Sequence, residues 1–226
     1  MEVREALYTT RAMRRMKPDR IPMDVQARVL DAAIRAPSAS NTQDWRFVLV
    51  DDPDLMRTLG DLVRQGEQRS KETLYAERVA AAALAPDEPA NAAFLRMLSS
   101  VWYLVDHFAE VPLLLAAFVR EGVASDASIY PAMWSAQLAA RAEGVGSVMT
   151  RVLDVYFHDA TCEILVVPLE EHWRMSGAVV MGYPTGRWGV APRRRVHEVA
   201  FRNTWGAPLG FEVAEPLWPE RRVESS

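Results

Sequence analysis

Cysteine is almost missing from this chain: Cys162 is the only one among 226 residues. A single thiol excludes an intramolecular disulfide framework, argues against a cysteine-rich metal site, and fits a reducing cytosol. His107, His158, His172 and His197 lie far apart, none at the i, i+4 spacing of a helical metal pair, so no metal ligand is assigned. The formal net charge is only −4, which leaves no field to draw in nucleic acid or acidic lipid. The longest apolar run, Val111–Val119, is too short to span a bilayer and carries Pro112. The opening MEVREALYTTRAMRR places charge in every turn and lacks the apolar core of a signal peptide. These absences predict a soluble cytoplasmic protein with neither a membrane nor a nucleic-acid partner. Also missing are a Gly-x-x-x-x-Gly-Lys phosphate loop, a Gly-x-Gly-x-x-Gly turn after a strand and a Gly-x-Ser-x-Gly elbow.

What is present is ordinary globular composition, 50% hydrophobic and 25% charged. Apolar residues recur at helical steps in Glu2–Thr10, in Val25–Ala36, after Pro53, and in Asn91–Phe108. Pro131–Glu143 reads as a further helix stopped at Gly144-Val145-Gly146, and Asp159–Leu165 as another. Arg46–Val50, Ser147–Thr150 and Ser176–Met181 read as strands. Val111–Val119, continuous in apolar residues, predicts a strand covered on both faces. Gln65–Ala85 is charged, then alanine-rich, and reads as a solvated helix or a lid. The tail after Ala191 is basic, then aromatic, and looks extended. With no repeat and no linker, the alternation predicts one layered α/β or α+β domain over 1–226, with a candidate lid at about 65–90.

Between the second helix and the first strand lie Ser38, Ser40, Asn41, Thr42 and Gln43, closed by Trp45. A connection this rich in hydrogen-bonding groups suggests a polar ligand held on a rigid scaffold. An Asx/Ser turn without a ligand accounts for it equally well. Two arginine knots stand near opposite ends: Arg11, Arg14 and Arg15, and Arg193, Arg194 and Arg195. Arginine suits bidentate phosphate recognition, so the knots either converge on one dianion or are separate solvated patches. No acid, base or nucleophile stands out. That favours a bound cofactor carrying the chemistry while the protein supplies placement and electrostatics.

With these motifs in order, the chain resembles the nitroreductase family. The family's opening Arg-Arg-Ser-x-Arg-x-Phe appears as Thr10-Arg11-Ala12-Met13-Arg14-Arg15-Met16, and its Pro-Ser-Gly-x-Asn-x-Gln-Pro-Trp loop as Pro37–Trp45. Ile129-Tyr130-Pro131-Ala132 leads to the helix stop at Gly144–Ser147, and Met181-Gly182-Tyr183-Pro184 is followed by Arg193-Arg194-Arg195. The resemblance implies an α+β fold, with a mixed, mostly antiparallel central sheet flanked by helices. It also implies FMN as cofactor, NAD(P)H as co-substrate, a homodimer, and no catalytic side chain beyond the flavin. Carried over by residue, Arg11, Arg14 or Arg15, with Arg193, hold the phosphate and ribityl hydroxyls, and Ala12 keeps its place in that segment. Pro37, Ser38, Ser40 and Asn41 form the loop beside the ribityl chain and ring. Arg151, Val152 and Leu153 fall where backbone amides approach the ring edge. Ala12 and Ala39 replace the motif serine and glycine, Asp44 replaces a proline, and Trp134-Ser135 stand where Gln-Asn is common. Trp45, Trp102, Tyr103, Trp134 and Trp173 are candidates to line a planar pocket, although core packing suits most of them.

The expected activity is hydride transfer from NAD(P)H through FMN to a small planar acceptor, a nitroaromatic or a quinone, with ping-pong kinetics. The alternatives are a flavin-binding or sensing module with little turnover, or a divergent flavin reaction such as dehalogenation, flavin cleavage or dehydrogenation.

Overall fold

A computed structural model describes residues 1–218, and the end of the tail reading lies outside them. The chain divides into two compact units, one of Ala12–Arg187 and one combining Met1–Arg11 with the segment from Trp188 onward.

The larger unit is built on four strands, β1 (Trp45–Val50), β2 (Leu113–Arg120), β3 (Gly146–Thr150) and β4 (Trp173–Gly182), in the order β1-β2-β4-β3. All three pairings are antiparallel. The expected mixed character comes from one parallel bridge, Ala12 to Ser147, where the chain entering the unit lies along β3. Met13 donates to the Ser147 carbonyl at 2.9 Å and Lys17 to that of Tyr183 at 2.8 Å. Side chains at Gly146 and Gly182 would meet the Cβ atoms of Met13 and Met16 at 2.9 Å, so only glycine lets this segment lie so close.

Helices cover both faces of the sheet. Alternation along β2 sends Leu114, Ala116 and Phe118 into one cluster and Leu113, Leu115, Ala117 and Val119 into the other. The first cluster packs on α3 (Pro53–Glu72), α5 (Pro89–Asp106) and α7 (Val152–Ile164), through Leu59, Val63, Leu104 and Leu153. The second packs on α2 (Met23–Ala33) and α6 (Ser125–Ala142), through Val29, Ala33, Ile129 and Met133. Burial along β2 is complete up to Arg120, as its unbroken apolar run predicts.

Several boundaries differ from the sequence reading. α2 ends at Ala33, because Ile34 to Ala36 already form turns ahead of Pro37. α6 begins at Ser125, and Pro131 lies inside it. Proline removes one ladder hydrogen bond there, and burial of Ile129, Ala132 and Met133 on the sheet offsets the loss. The Gly144 stop holds: it has φ +75, with the Val145 N–H on the Ala140 carbonyl at 2.8 Å and the Gly144 N–H on Arg141 at 3.1 Å. That pair of bonds is a Schellman cap. α7 begins at Val152, seven residues before the expected Asp159, and kinks at Phe157. The charged stretch is helical: α3 runs to Glu72 and α4 (Ala76–Leu84) follows.

In the smaller unit, α1 (Val3–Thr9) is followed in space by an irregular tail carrying one short helix, α8 (Val196–Val199). The ring of Tyr8 meets that of Trp218 at 5.9 Å. The described tail is therefore irregular rather than extended as expected: besides α8 it turns back between Arg202 and Ala207, with positive φ at Asn203, Gly206 and Gly210.

Candidate functional site

The polar loop has an unusual backbone. Ser40, Asn41 and Gln43 adopt φ of 51, 55 and 53, a left-handed conformation that costs non-glycine residues free energy. Ala39, standing where the family has glycine, is not among them, so the positive φ moves one residue along. Ser38 fixes the shape: its Oγ accepts the Gln43 N–H at 3.2 Å while its carbonyl takes the Asn41 N–H at 3.0 Å. The Ala39 N–H donates to Ser128 Oγ at 3.1 Å, tying the loop to the first turns of α6. Pro37, Ser40 and Asn41 stay exposed. Trp45 is buried against α2 and α6 and leaves the list of pocket-lining rings.

A second corner reaches the same turns of α6. Beta-strand β3 ends at Thr150, whose Oγ1 accepts the Val152 N–H at 3.3 Å. The next donors, on Leu153 and Asp154, have no acceptor inside α7, as at any helix start. The side chains of Val152 and Leu153 are buried, which leaves only their backbone for a ligand. Arg151 is exposed and pairs with Asp154 at 2.5 Å. Across from it a β-bulge on β4 makes Ser176 the extra residue, since Ala117 pairs with Gly177 and Phe118 with Met175. The Ser176 carbonyl accepts from Tyr130 Oη at 3.2 Å, and its Oγ from Arg174 at 3.3 Å. Arg174 also pairs with Asp126 at 2.5 Å. Burial pushes the Tyr130 phenol above its ordinary range, against the opposing pull of Arg151. Tyr130, Asp126 and Arg174 are neighbours of this corner that sequence reasoning did not assign to a site. Tyr130 was visible within the Ile-Tyr-Pro motif, whereas nothing in the sequence singles out the other two.

The arginines part company. Arg14 is half-buried and lines a cavity of about 60 Å³ with Glu67 of α3 and Thr150. Burial lowers the Arg14 pKa and raises that of Glu67, and each charge eases the other's shift. Arg15 lies 4.0 Å over the ring of Tyr103, which stacks on His107 at 4.1 Å. Ala12 is exposed at its bridge to Ser147. Arg11 and Arg193 belong to the smaller unit. There Thr10 and Arg193–Arg195 line one groove of about 640 Å³, to which Arg11 does not contribute. Trp173 is buried, Trp102 and Tyr103 are half-buried, and Trp134 is exposed.

The model of the Nitroreductase family matches residues 7–183, and the chain belongs to that family. It is 30% identical over 194 residues to the 5,6-dimethylbenzimidazole synthase of Rhodospirillum rubrum, covering 80% of this chain and 81% of that one. It is 34% identical over 67 residues to iodotyrosine deiodinase 1 of Mus musculus, covering 30% of this chain and 24% of the relative, so this match spans about a quarter of the relative's length. The fold is similar to that of oxidized iodotyrosine deiodinase bound to FMN and 3-iodo-L-tyrosine. The TM-score is 0.66 at 22% identity, over 90% of this chain and 100% of that one. Among the described residues, no helix is long and apolar enough to cross a membrane, and no group of acidic, histidine and cysteine side chains is placed to hold a metal ion.

Proposed function

We propose that the protein is an FMN-dependent oxidoreductase that takes hydride from NAD(P)H and delivers it to a small planar acceptor, working as a cytoplasmic homodimer. The observation that carries this reading is that the strained, donor-bearing loop and the β4 bulge are both tied to the first turns of α6, with the bulge lying beside Thr150 and Arg151, where α7 begins with its unpaired N–H groups. Such a corner suits the polar edge of a planar ring better than a turn without a ligand, because three left-handed side-chain-bearing residues are strain a plain connection does not need. FMN, when bound, supplies the redox chemistry.

The chain's own residues supply binding and orientation. Ser40 and Asn41 offer exposed donors, while Pro37 and Ser38 set the loop's shape. The Leu153 N–H, with Arg151 beside it, favours negative charge at the ring edge. Arg14's charge is already opposed by Glu67, so in this reading Arg11, Arg15 and Arg193 carry the larger share of the phosphate. A charged hydrogen bond contributes about 1.5–3 kcal/mol, so Arg193→Ala weakens FMN binding by about one to two powers of ten. Affinity unchanged within error removes Arg193 from the site. A purified protein that is colourless and does not perturb the flavin spectrum on titration with FMN defeats the whole reading.

The long match to a 5,6-dimethylbenzimidazole synthase, together with the deiodinase-like fold, favours a divergent flavin reaction as the second reading. Product analysis separates the two. Anaerobic NAD(P)H oxidation coupled to nitroarene or quinone reduction supports the first reading; release of 5,6-dimethylbenzimidazole, or of halide from a halotyrosine, supports the second.

A further inference from the structure

Where α7 runs out, the sheet end carries a pocket of about 300 Å³ on the face away from Trp45. Its walls come from Val48 and Phe118 on the strands and from the turn Leu165–Pro168. At its mouth the guanidinium groups of Arg46 and Arg120 lie 4.8 and 4.9 Å from the ring centroid of one indole, Trp173. Two like charges gathered on a single ring repel each other. The one carboxylate among them, Glu171, accepts the indole N–H at 3.2 Å and reaches Arg120 only at 3.8 Å, too far for a hydrogen bond. The lining therefore keeps a surplus positive charge above an apolar floor.

The wall is also strained in an informative place. α7 ends in the same cap as α6, with the Val167 N–H on the Cys162 carbonyl at 2.8 Å and the Val166 N–H on Glu163 at 3.1 Å. The left-handed position is Gly144 in one cap and Val166, at φ 54, in the other. A β-branched residue is among the least favourable choices there. Val166 is 86% exposed, so no core packing rewards its side chain; the methyls it carries line the pocket.

We propose that this pocket binds a small aromatic carboxylate, with the ring against Val48, Phe118 and Val166 and the carboxylate on Arg46 and Arg120. The site shares no residue with the proposed flavin corner, and the inference does not depend on that reading. The probe is 2-naphthoate, titrated by calorimetry into protein saturated with FMN, with neutral 2-naphthylmethanol as control. Expected is one saturable naphthoate site, at least tenfold weaker for the alcohol and for Arg46→Ala and Arg120→Ala. Val166→Gly is the decisive variant. Releasing the strained cap raises the melting temperature by about 2–4 °C, while loss of the wall weakens naphthoate about fivefold. Naphthoate binding that is absent, equal to that of the alcohol, or unaffected by Val166→Gly and both arginine variants overturns the proposal. So does binding to flavin-free protein that vanishes when FMN is added, which would assign the naphthoate to the flavin site instead.

Discussion

At Gly66 α3 lies directly against α7, and replacing this glycine with alanine tests the geometry of the proposed flavin corner. A Cβ there would lie 2.4 Å from Val152 Cγ2, with Tyr156 and Phe157 ring carbons at 3.4 and 3.5 Å. Val152 cannot simply turn aside, because a β-branched residue in a helix has one favoured χ1. Two effects oppose each other. Alanine in a helix interior gains about 1 kcal/mol over glycine, and overpacking a filled contact costs about 1–3 kcal/mol. The clash wins, leaving Gly66→Ala destabilised by up to about 2 kcal/mol, a fall of at most roughly 4–8 °C in melting temperature. Val152→Ala alone loses buried methyl groups and is destabilised by about 1–3 kcal/mol. Together the changes are far from additive, since removing Cγ2 removes the clash, and a coupling of about 1–3 kcal/mol is expected. Thermal unfolding followed by circular dichroism measures all four corners of the cycle. Because Val152 opens α7, Gly66→Ala also displaces the backbone donors of the corner, and FMN affinity falls several-fold with it. A Gly66→Ala protein at least as stable as the parent, with strictly additive behaviour in the double variant, would refute the contact and the placement of α7.

Three further outcomes are expected. Asp52 caps α3, its Oδ1 accepting from the N–H groups of Asp54 and Leu55 at 3.0 and 2.9 Å, so Asp52→Ala lowers unfolding free energy by about 1 kcal/mol in a urea titration. Cys162 is buried, and burial raises its thiol pKa, so a thiol-colour reagent at pH 8 leaves the native protein unlabelled and reacts once per chain in urea. Glu67 has its pKa raised in the fold chiefly by burial, so the unfolded chain releases that proton first. Its contribution is therefore fully present below its ordinary value of 4.5 and is lost as pH climbs through the raised one. The difference in melting temperature between parent and Glu67→Gln widens over that window; a gap independent of pH would refute the assignment.

Much of this protein was legible in its residues because the relevant physics is local. Apolar periods marked α3 and α5, and the run Val111–Val119 announced a strand buried on both faces, which the fold forms over Leu113–Arg120. Glycine at 144 announced a helix stop, since only a left-handed residue closes that cap. The density of donors between Pro37 and Trp45 marked the loop before any coordinate did. Other features arise only when distant segments meet. No spacing rule sets Arg14 opposite Glu67, lays Arg15 on Tyr103, or brings Arg46 and Arg120 to one indole. The early start of α7 turned Val152 and Leu153 inward, and the bulge at Ser176 gave Tyr130 its acceptor. Local sequence decides what a segment can form. Which charges end up neutralised, stacked or left over depends on which faces pack together, and that is a property of the whole fold.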